Sequence, residues 1–428
     1  MTGPYDDIWD LRWRHRCDMS FQLPADADGR LVKAAFQQAV VRFPMLRTTV
    51  TQSSDGVAGQ IVLPASAADD LIFAEESLEK VDDDFLKGLV HRGYDLNVAV
   101  ILARGPDRSV VIVKASHFYM DGMGFALLRS HVIGLIEKGV VPKPQEIDTA
   151  HDEILAFEAG PRARRESERK ITVLRDAAAR AVEVGAADSH VMGPEYLVGR
   201  TSSTTLDWAG LVLAQRYRVS RAAILLSLFI TAYQVVMNRP YLWMAACSSN
   251  RVLPAELRYV GLQTRSGFFL SPAGSADENF SDYARKVGEC LLTSLWSVRH
   301  DPDRLLQEFR ARGFPDGPQL FFNYSPKFAQ DGPPGERPSA GQQKIDAHGF
   351  GDFEWSVAPS GRYALELNFS PRPEGIGLVV EHDDTAFPKH TVAAMARAIA
   401  HLASHVASQE DEMAMGRVKA YLAGLDLA

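Results

Sequence analysis

Apolar and polar positions divide the chain into many short elements. CDMSFQLPAD (17–26) alternates as a half-buried strand does. Leu31, Ala34, Ala35, Ala39 and Val40 then recur at helical spacing behind Asp28, a natural N-cap, and Pro44 ends the helix. MLRTTVTQ (45–52) and AGQIVLP (58–64) predict two strands joined at the turn SSDG (53–56), and LIFAEES (71–77) predicts another. Residues 82–92 predict a helix, and AVILARGPDRSVVIVKAS (99–116) a hairpin closed by Gly105-Pro106-Asp107. A helix from Met123 to Lys138 follows.

Residues 139–205 change character, with prolines and charges, a polar helix around SERKITVLRDAAARAV, and a Gly-, Ser- and Thr-containing stretch. Beyond it lie an amphipathic run over 206–237, the strand LWMAACSS and a helix at 281–297. A strand in GPQLFFNYSP, a Gly- and Pro-rich surface loop over 327–344, and three strands in DFEWSVAP, YALELNFS and IGLVVEHD come next. A helix near 388–408 and another at the C-terminus complete the pattern. The expected fold class is α/β, with an N-terminal lobe over 1–160, a connection over 161–205 and a C-terminal lobe over 206–428. Both lobes carry mixed sheets.

Composition narrows the partners. With 428 residues the chain exceeds one ordinary core, and 46% apolar with 23% charged residues is a normal globular balance. A net charge of -8 leaves no footprint for nucleic acid. The basic stretch Arg162-Ala163-Arg164-Arg165 and Arg169-Lys170 is interleaved with Glu166 and Glu168, as on a solvated helix face. Cys17, Cys247 and Cys290 are too far apart and too few for a disulfide framework, and no His/Cys cluster has metal spacing. The N-terminus has no apolar core of a signal peptide. The longest apolar stretch, 222–237, is short for a membrane span and broken by Ser227, Thr231 and Gln234. A cytoplasmic monomer without metal or membrane is the simplest expectation.

Chemistry concentrates where the hairpin strand ends. His117 stands at the end of an apolar strand, three residues precede Asp121-Gly122, and a helix with a second glycine, Gly124, begins there. Such a histidine suits proton transfer, yet a merely hydrogen-bonded one would look the same, and Asp-Gly alone is a helix cap.

The residues Ser116-His117-Phe118-Tyr119-Met120-Asp121-Gly122 resemble the HHxxxDG motif of condensation domains of nonribosomal peptide synthetases, in the chloramphenicol acetyltransferase-like superfamily. RFPMLRTTV (42–50), RSGFFLSP (265–272), HDPDRLLQEF (300–309), LFFNYSP (320–326) and LVVEHDDTAF (378–387) are similar to further segments of that family, in the same order. Two departures stand out: Ser116 replaces the first histidine of the pair, and DIWDLRWRHR is a poor match to the family's first motif.

The resemblance implies two lobes arranged as a V-shaped pseudo-dimer with His117 in the tunnel between them. It implies a free-standing acyltransferase that forms an amide or ester in specialised metabolism. The acyl donor would be a thioester on the phosphopantetheine of an acyl or peptidyl carrier protein, or on CoA. The acceptor would be a small-molecule amine or hydroxyl, and no cofactor would be held permanently. His117 would be the catalytic residue, as base or as positioner of the nucleophile. Asp121 would support the site in an ion pair with Arg42, and Gly122 would allow a close approach of backbone N–H and substrate. Ser116, Tyr119, Arg251, Asn323 and Tyr324 are the candidates for the substrate cleft, although for Asn323 and Tyr324 packing within the second lobe is the favoured reading. A non-catalytic recruitment module is the reading of another class, which Ser116 leaves open.

Overall fold

The computed structural model describes residues 16–52, 58–82, 85, 96, 98–117, 119–142, 146–187, 193, 195–325, 353–358, 361, 363–372 and 375–425. The expected turn 53–56, most of the helix expected over 82–92, and the loop 327–344 lie outside the described residues. The chain divides into two compact units. The first combines Met1–Arg162 with Ser249–Thr264, and the second combines Ala163–Ser248 with Arg265–Ala428.

In the first unit, β1 (Arg16–Pro24) leads to α1 (Gly29–Arg42), then β2 (Thr48–Gln52), β3 (Ala58–Val62) and β4 (Ile72–Ser77). The hairpin β5 (Val98–Arg104) and β6 (Arg108–Ser116) follows, then α2 (Gly122–Glu137) and α3 (Ala150–Glu158). The sheet order is β1-β6-β5-β4, antiparallel except for the parallel β4–β5 pair. β5 is apolar at nearly every position and is buried on both faces, which suits an inner strand. Asp28 caps α1 by accepting from Arg30 N at 2.8 Å, as its position predicts. Pro44 stops α1 and opens a 3₁₀ turn, Pro44–Arg47, so only the second part of MLRTTVTQ forms a strand. Thr48 Oγ1 closes that turn on Pro44 O at 2.9 Å. Phe36 and Val40 of α1 pack with Phe125, Leu128 and Val132 of α2 in one core over the sheet.

The second unit takes up α4 (Pro161–Glu183) from Ala163 onward and continues with β7 (Tyr196–Ser203), then α5 (Thr204–Tyr217), α6 (Arg221–Val236), β8 (Trp243–Ser248) and β9 (Arg265–Leu270). Then come α7 (Phe280–Ser297), α8 (Pro302–Ala311), β10 (Leu320–Tyr324), β11 (Glu354–Ala358), β12 (Leu365–Arg372), β13 (Gly375–Asp383), α9 (Lys389–Ser408) and α10 (Met415–Ala423). The sheet order is β11-β7-β13-β12-β10-β8-β9, with parallel pairs only at β12–β10 and β10–β8. Both units thus hold mixed sheets with helices packed on them.

Residues 161–205 are not a simple connection. α4 buries Ile171 and Leu174 against Leu305 and Phe309 of α8, and β7 lies between β11 and β13. The amphipathic run 206–237 is two helices that meet at 111°. Arg218, in the left-handed region at φ 56°, ends α5, and Ser220 caps α6. α6 is buried from Ala223 to Gln234, as expected of a core helix, and no single described helix is long and apolar enough to cross a membrane. Cys247 and Cys290 are free thiols.

Candidate functional site

The loop between β6 and α2 carries the SHxxxDG residues, and its shape follows from short-range bonds. β6 ends at Ser116, which is buried, and Tyr119 N donates back to Ser116 O at 3.1 Å. His117 projects from this turn and is exposed. Its Nδ1 lies 2.9 Å from Met120 O. A carbonyl only accepts, so Nδ1 carries the proton, and in the neutral ring Nε2 keeps the lone pair. The loop therefore fixes the tautomer that a proton acceptor requires.

Asp121 is the N-cap of α2. Its Oδ1 accepts from Gly124 N at 2.7 Å, and its carbonyl accepts from Phe125 N at 2.9 Å. The same Oδ1 accepts from Arg251 Nη2 at 2.8 Å, in an ion pair whose side chains are each 2% exposed. Oδ2 accepts from Gln263 N at 2.8 Å and from Thr264 N and Thr264 Oγ1, both at 3.0 Å. Arg251 in turn holds its own segment. Nη1 donates to Glu256 O and Tyr259 O, each at 2.6 Å, and Nη2 also donates to Gly261 O at 2.8 Å. Glu256 Oε2 accepts from Val252 N and Leu253 N and so closes the short helix Pro254–Arg258. Asn250, at φ 50°, takes the left-handed conformation that asparagine tolerates and turns the chain into this segment.

The expected partner of Asp121 is corrected: the carboxylate pairs with Arg251, not Arg42. Arg42 ends α1, its guanidinium lies 5.6 Å from the Phe43 ring centre, and its carbonyl accepts from Asp148 N. It faces His131 of α2, whose pKa is pushed below its ordinary value by burial and then by the charges of Arg42 and Lys138. Arg251, expected as a cleft residue, is buried as the clamp on Asp121, because a guanidinium can satisfy one carboxylate and three carbonyls at once.

Tyr119, also a cleft candidate, is 2% exposed and packs with Met45, Ile154 and Tyr259. Burial raises the pKa of the Tyr259 phenol, whose oxygen lies 3.3 Å from His151 Nδ1. Gly122 is the first residue of α2, and at Gly124 the helix backbone runs close against another segment. A Cβ there would meet Gly261 O at 2.7 Å and Gly261 N at 2.8 Å.

Asn323 and Tyr324 belong to β10 in the second unit. Asn323 Nδ2 donates to Asn368 Oδ1 of β12 at 2.9 Å, and Ser325 Oγ donates to Asn323 Oδ1 at 3.2 Å. Tyr324 is partly buried against the core of that unit, and burial raises its pKa, with Arg221 opposing the shift. Both side chains have packing or hydrogen-bonding roles within their own unit. Trp355, partly buried against the core of that unit, stacks on Phe353 at 5.0 Å and meets His382 edge-on.

The sequence reading missed the acceptor carbonyls of Glu256, Tyr259 and Gly261 and the donors at Gln263 and Thr264. Backbone groups leave no side-chain signature, so only the Gly261 and Asn250 positions hinted at a special turn. No group of three or more His, Cys, Asp or Glu that could hold a metal exists among the described residues.

No family model matches the chain, and no curated protein matches it. Solved structures do. A condensation domain that mediates chain release from the enacyloxin polyketide synthase aligns with a TM-score of 0.67 at 17% identity, over 96% of this chain and 83% of that one. The first condensation domain of the calcium-dependent antibiotic synthetase, solved with a substrate analogue, gives 0.67 at 14% identity, over 96% of each chain. The starter condensation domain of rhizomide synthetase, solved with C8-CoA, gives 0.68 at 14% identity, over 100% of this chain and 96% of that one. Over nearly its whole length, the chain has the fold of the condensation domains.

Proposed function

We propose that this protein is a condensation-type acyltransferase of specialised metabolism, which joins a thioester-activated acyl group to an amine or hydroxyl acceptor. The observation that carries the reading is the contact of His117 Nδ1 with Met120 O, on a loop clamped by Asp121 and Arg251 in a chain with the condensation-domain fold. The acceptor attacks the thioester carbonyl while Nε2 of His117 receives its proton. The tetrahedral adduct collapses, the carbon–sulfur bond breaks, and the departing thiolate takes the proton back from the imidazolium. One amide or ester and one free thiol result, with no oxidant or metal in the balance.

Asp121 takes no part in proton transfer on this reading, since both its oxygens are engaged. The donor arm is a phosphopantetheine thioester, on a carrier protein or as acyl-CoA. C8-CoA in the rhizomide synthetase domain shows that a domain of this fold admits such an arm. Ser116 is buried, so its replacement of a histidine alters the support of the loop and not the exposed base.

The test is acyl transfer from octanoyl-pantetheine and octanoyl-CoA to a panel of amines and alcohols, followed by product mass and thiol release. The wild type is expected to transfer. His117→Ala should lose about 10²–10⁴-fold in kcat, with a stability change of less than about 0.5 kcal/mol because the side chain is exposed. Undiminished transfer by His117→Ala would remove the histidine from the mechanism. A wild type inert to every donor, yet bound to a synthetase, would make the protein a recruitment module.

A further inference from the structure

The basic stretch of α4 has an unexpected orientation. Ser167, Glu168, Lys170, Ile171 and Leu174 turn toward the body of their unit. Ile171 and Leu174 are in its core, Ser167 Oγ accepts from Asp301 N at 2.8 Å, Glu168 pairs with Arg304, and the buried Lys170 lies 5.2 Å from the Trp296 ring centre. Arg165 and Arg169 consequently point outward, and Arg164, in the first turn of the helix, is exposed beside them. Among the described residues no carboxylate pairs with any of the three. Glu168, one of the interleaved acids, is committed to Arg304 and not to the stripe.

The position of these arginines works against the helix. The first turn of α4 holds Arg162, Arg164 and Arg165 and no acid, at the positive end of the helix dipole, where cations are unfavourable. Arg165 and Arg169, four residues apart, repel one another further. The stripe therefore does not serve the stability of α4, and an anionic partner would relieve both costs. In a chain of net charge -8, it is also a local reversal of sign that would steer such a partner to one place.

We propose that Arg164, Arg165 and Arg169 form a docking surface for an acidic carrier protein that delivers the thioester donor. This rests on the acyltransfer reading above. The stripe extends only about 8 Å along the helix axis, which matches one acidic helix face and is short for the multiple phosphate contacts of a nucleic acid. Guanidinium forks engage carboxylates in pairs, so the contact has geometry as well as charge.

The experiment compares wild type with the triple variant Arg164→Glu, Arg165→Glu, Arg169→Glu. The donors are an octanoyl-loaded acidic acyl carrier protein and the uncharged octanoyl-N-acetylcysteamine, and carrier binding is also titrated directly at low and high salt. The variant should unfold no earlier than the wild type, since acids suit a helix N-terminus. Its kcat/KM for the loaded carrier should fall about tenfold or more through KM, while turnover of the small thioester is unchanged. Wild-type carrier binding should weaken with salt, and binding by the variant should not.

Equal binding and turnover of the carrier by both proteins would overturn the proposal. So would loss of single-stranded DNA or anionic-vesicle binding in the variant with carrier binding intact. If neither protein transfers from either donor, the acyltransfer reading fails, and the titration still decides the surface. Carrier binding lost in the variant upholds it, and unchanged binding overturns it.

Discussion

Removing the Asp121 carboxylate would leave Arg251 buried without its counter-charge and α2 without its cap. Breaking a buried pair from one side costs about 3–5 kcal/mol, and loss of the cap adds about 1 kcal/mol. Asp121→Ala should therefore shift the urea midpoint strongly and lose activity through the collapsed loop. An Asp121→Ala protein as stable as the wild type would refute the clamp. His117 and Asp121 were legible in the sequence because strand, turn and cap are short-range features. Arg251 was not legible as the partner of Asp121, because 130 residues separate the two and nothing local distinguishes it from Arg42. Ser116 was read as a cleft residue because it stands where the family has a histidine; both it and Tyr119, on the tight turn from Ser116 to Tyr119, are buried.

Between elements, the approach of α2 to the Ser249–Thr264 segment depends on Gly124. A methyl group at that position would press on the Gly261 backbone, which cannot swing aside as a side chain can. Gly124→Ala should cost about 1–3 kcal/mol, read as a lower denaturation midpoint.

The β12–β13 pair offers a second test. Glu366 and Glu381 stand directly opposite one another in the register. Burial, and then the charge of Glu366, raise the Glu381 pKa from an ordinary 4.5 to about 7, with Arg200 opposing. A carboxyl with a raised folded value favours the native state most at low pH. Its contribution is lost as pH climbs from the ordinary value through about 7. Glu381→Gln should thus be more stable than the wild type by on the order of 2 kcal/mol at pH 8, with the gain vanishing near pH 4. Urea titrations at the two pH values measure the difference.

The β5–β6 hairpin and the buried α6 were legible from apolar runs and a Gly-Pro turn. β7 was not, because Gly199, Arg200 and Ser202 interrupt its apolar pattern although it lies inside the sheet.

At the scale of the whole molecule, two α/β lobes could be read from the order of strands and helices, but their exact membership could not. Composition shows no break at Ser249 or Thr264, so the exchange of that segment into the first unit is invisible in one dimension. It follows that the first unit cannot be excised as one continuous fragment. Residues 1–162 alone should be poorly folded, with little protection from hydrogen exchange. Joining 249–264 to them through a flexible linker should restore protection in α2. A fully protected 1–162 fragment would show that the segment is dispensable.

The same discontinuity governs how the chain is born. Domains usually fold as they leave the ribosome, first residue to last, at about 5–20 residues per second. Here Asp121 emerges 130 residues before Arg251, a delay of roughly ten seconds at that pace. Throughout it the acid has no counter-ion, and the loop that presents His117 cannot set. The amino-terminal half of this protein is thus made first and finished late, completed by a strip of chain that arrives only after the second half has begun to appear.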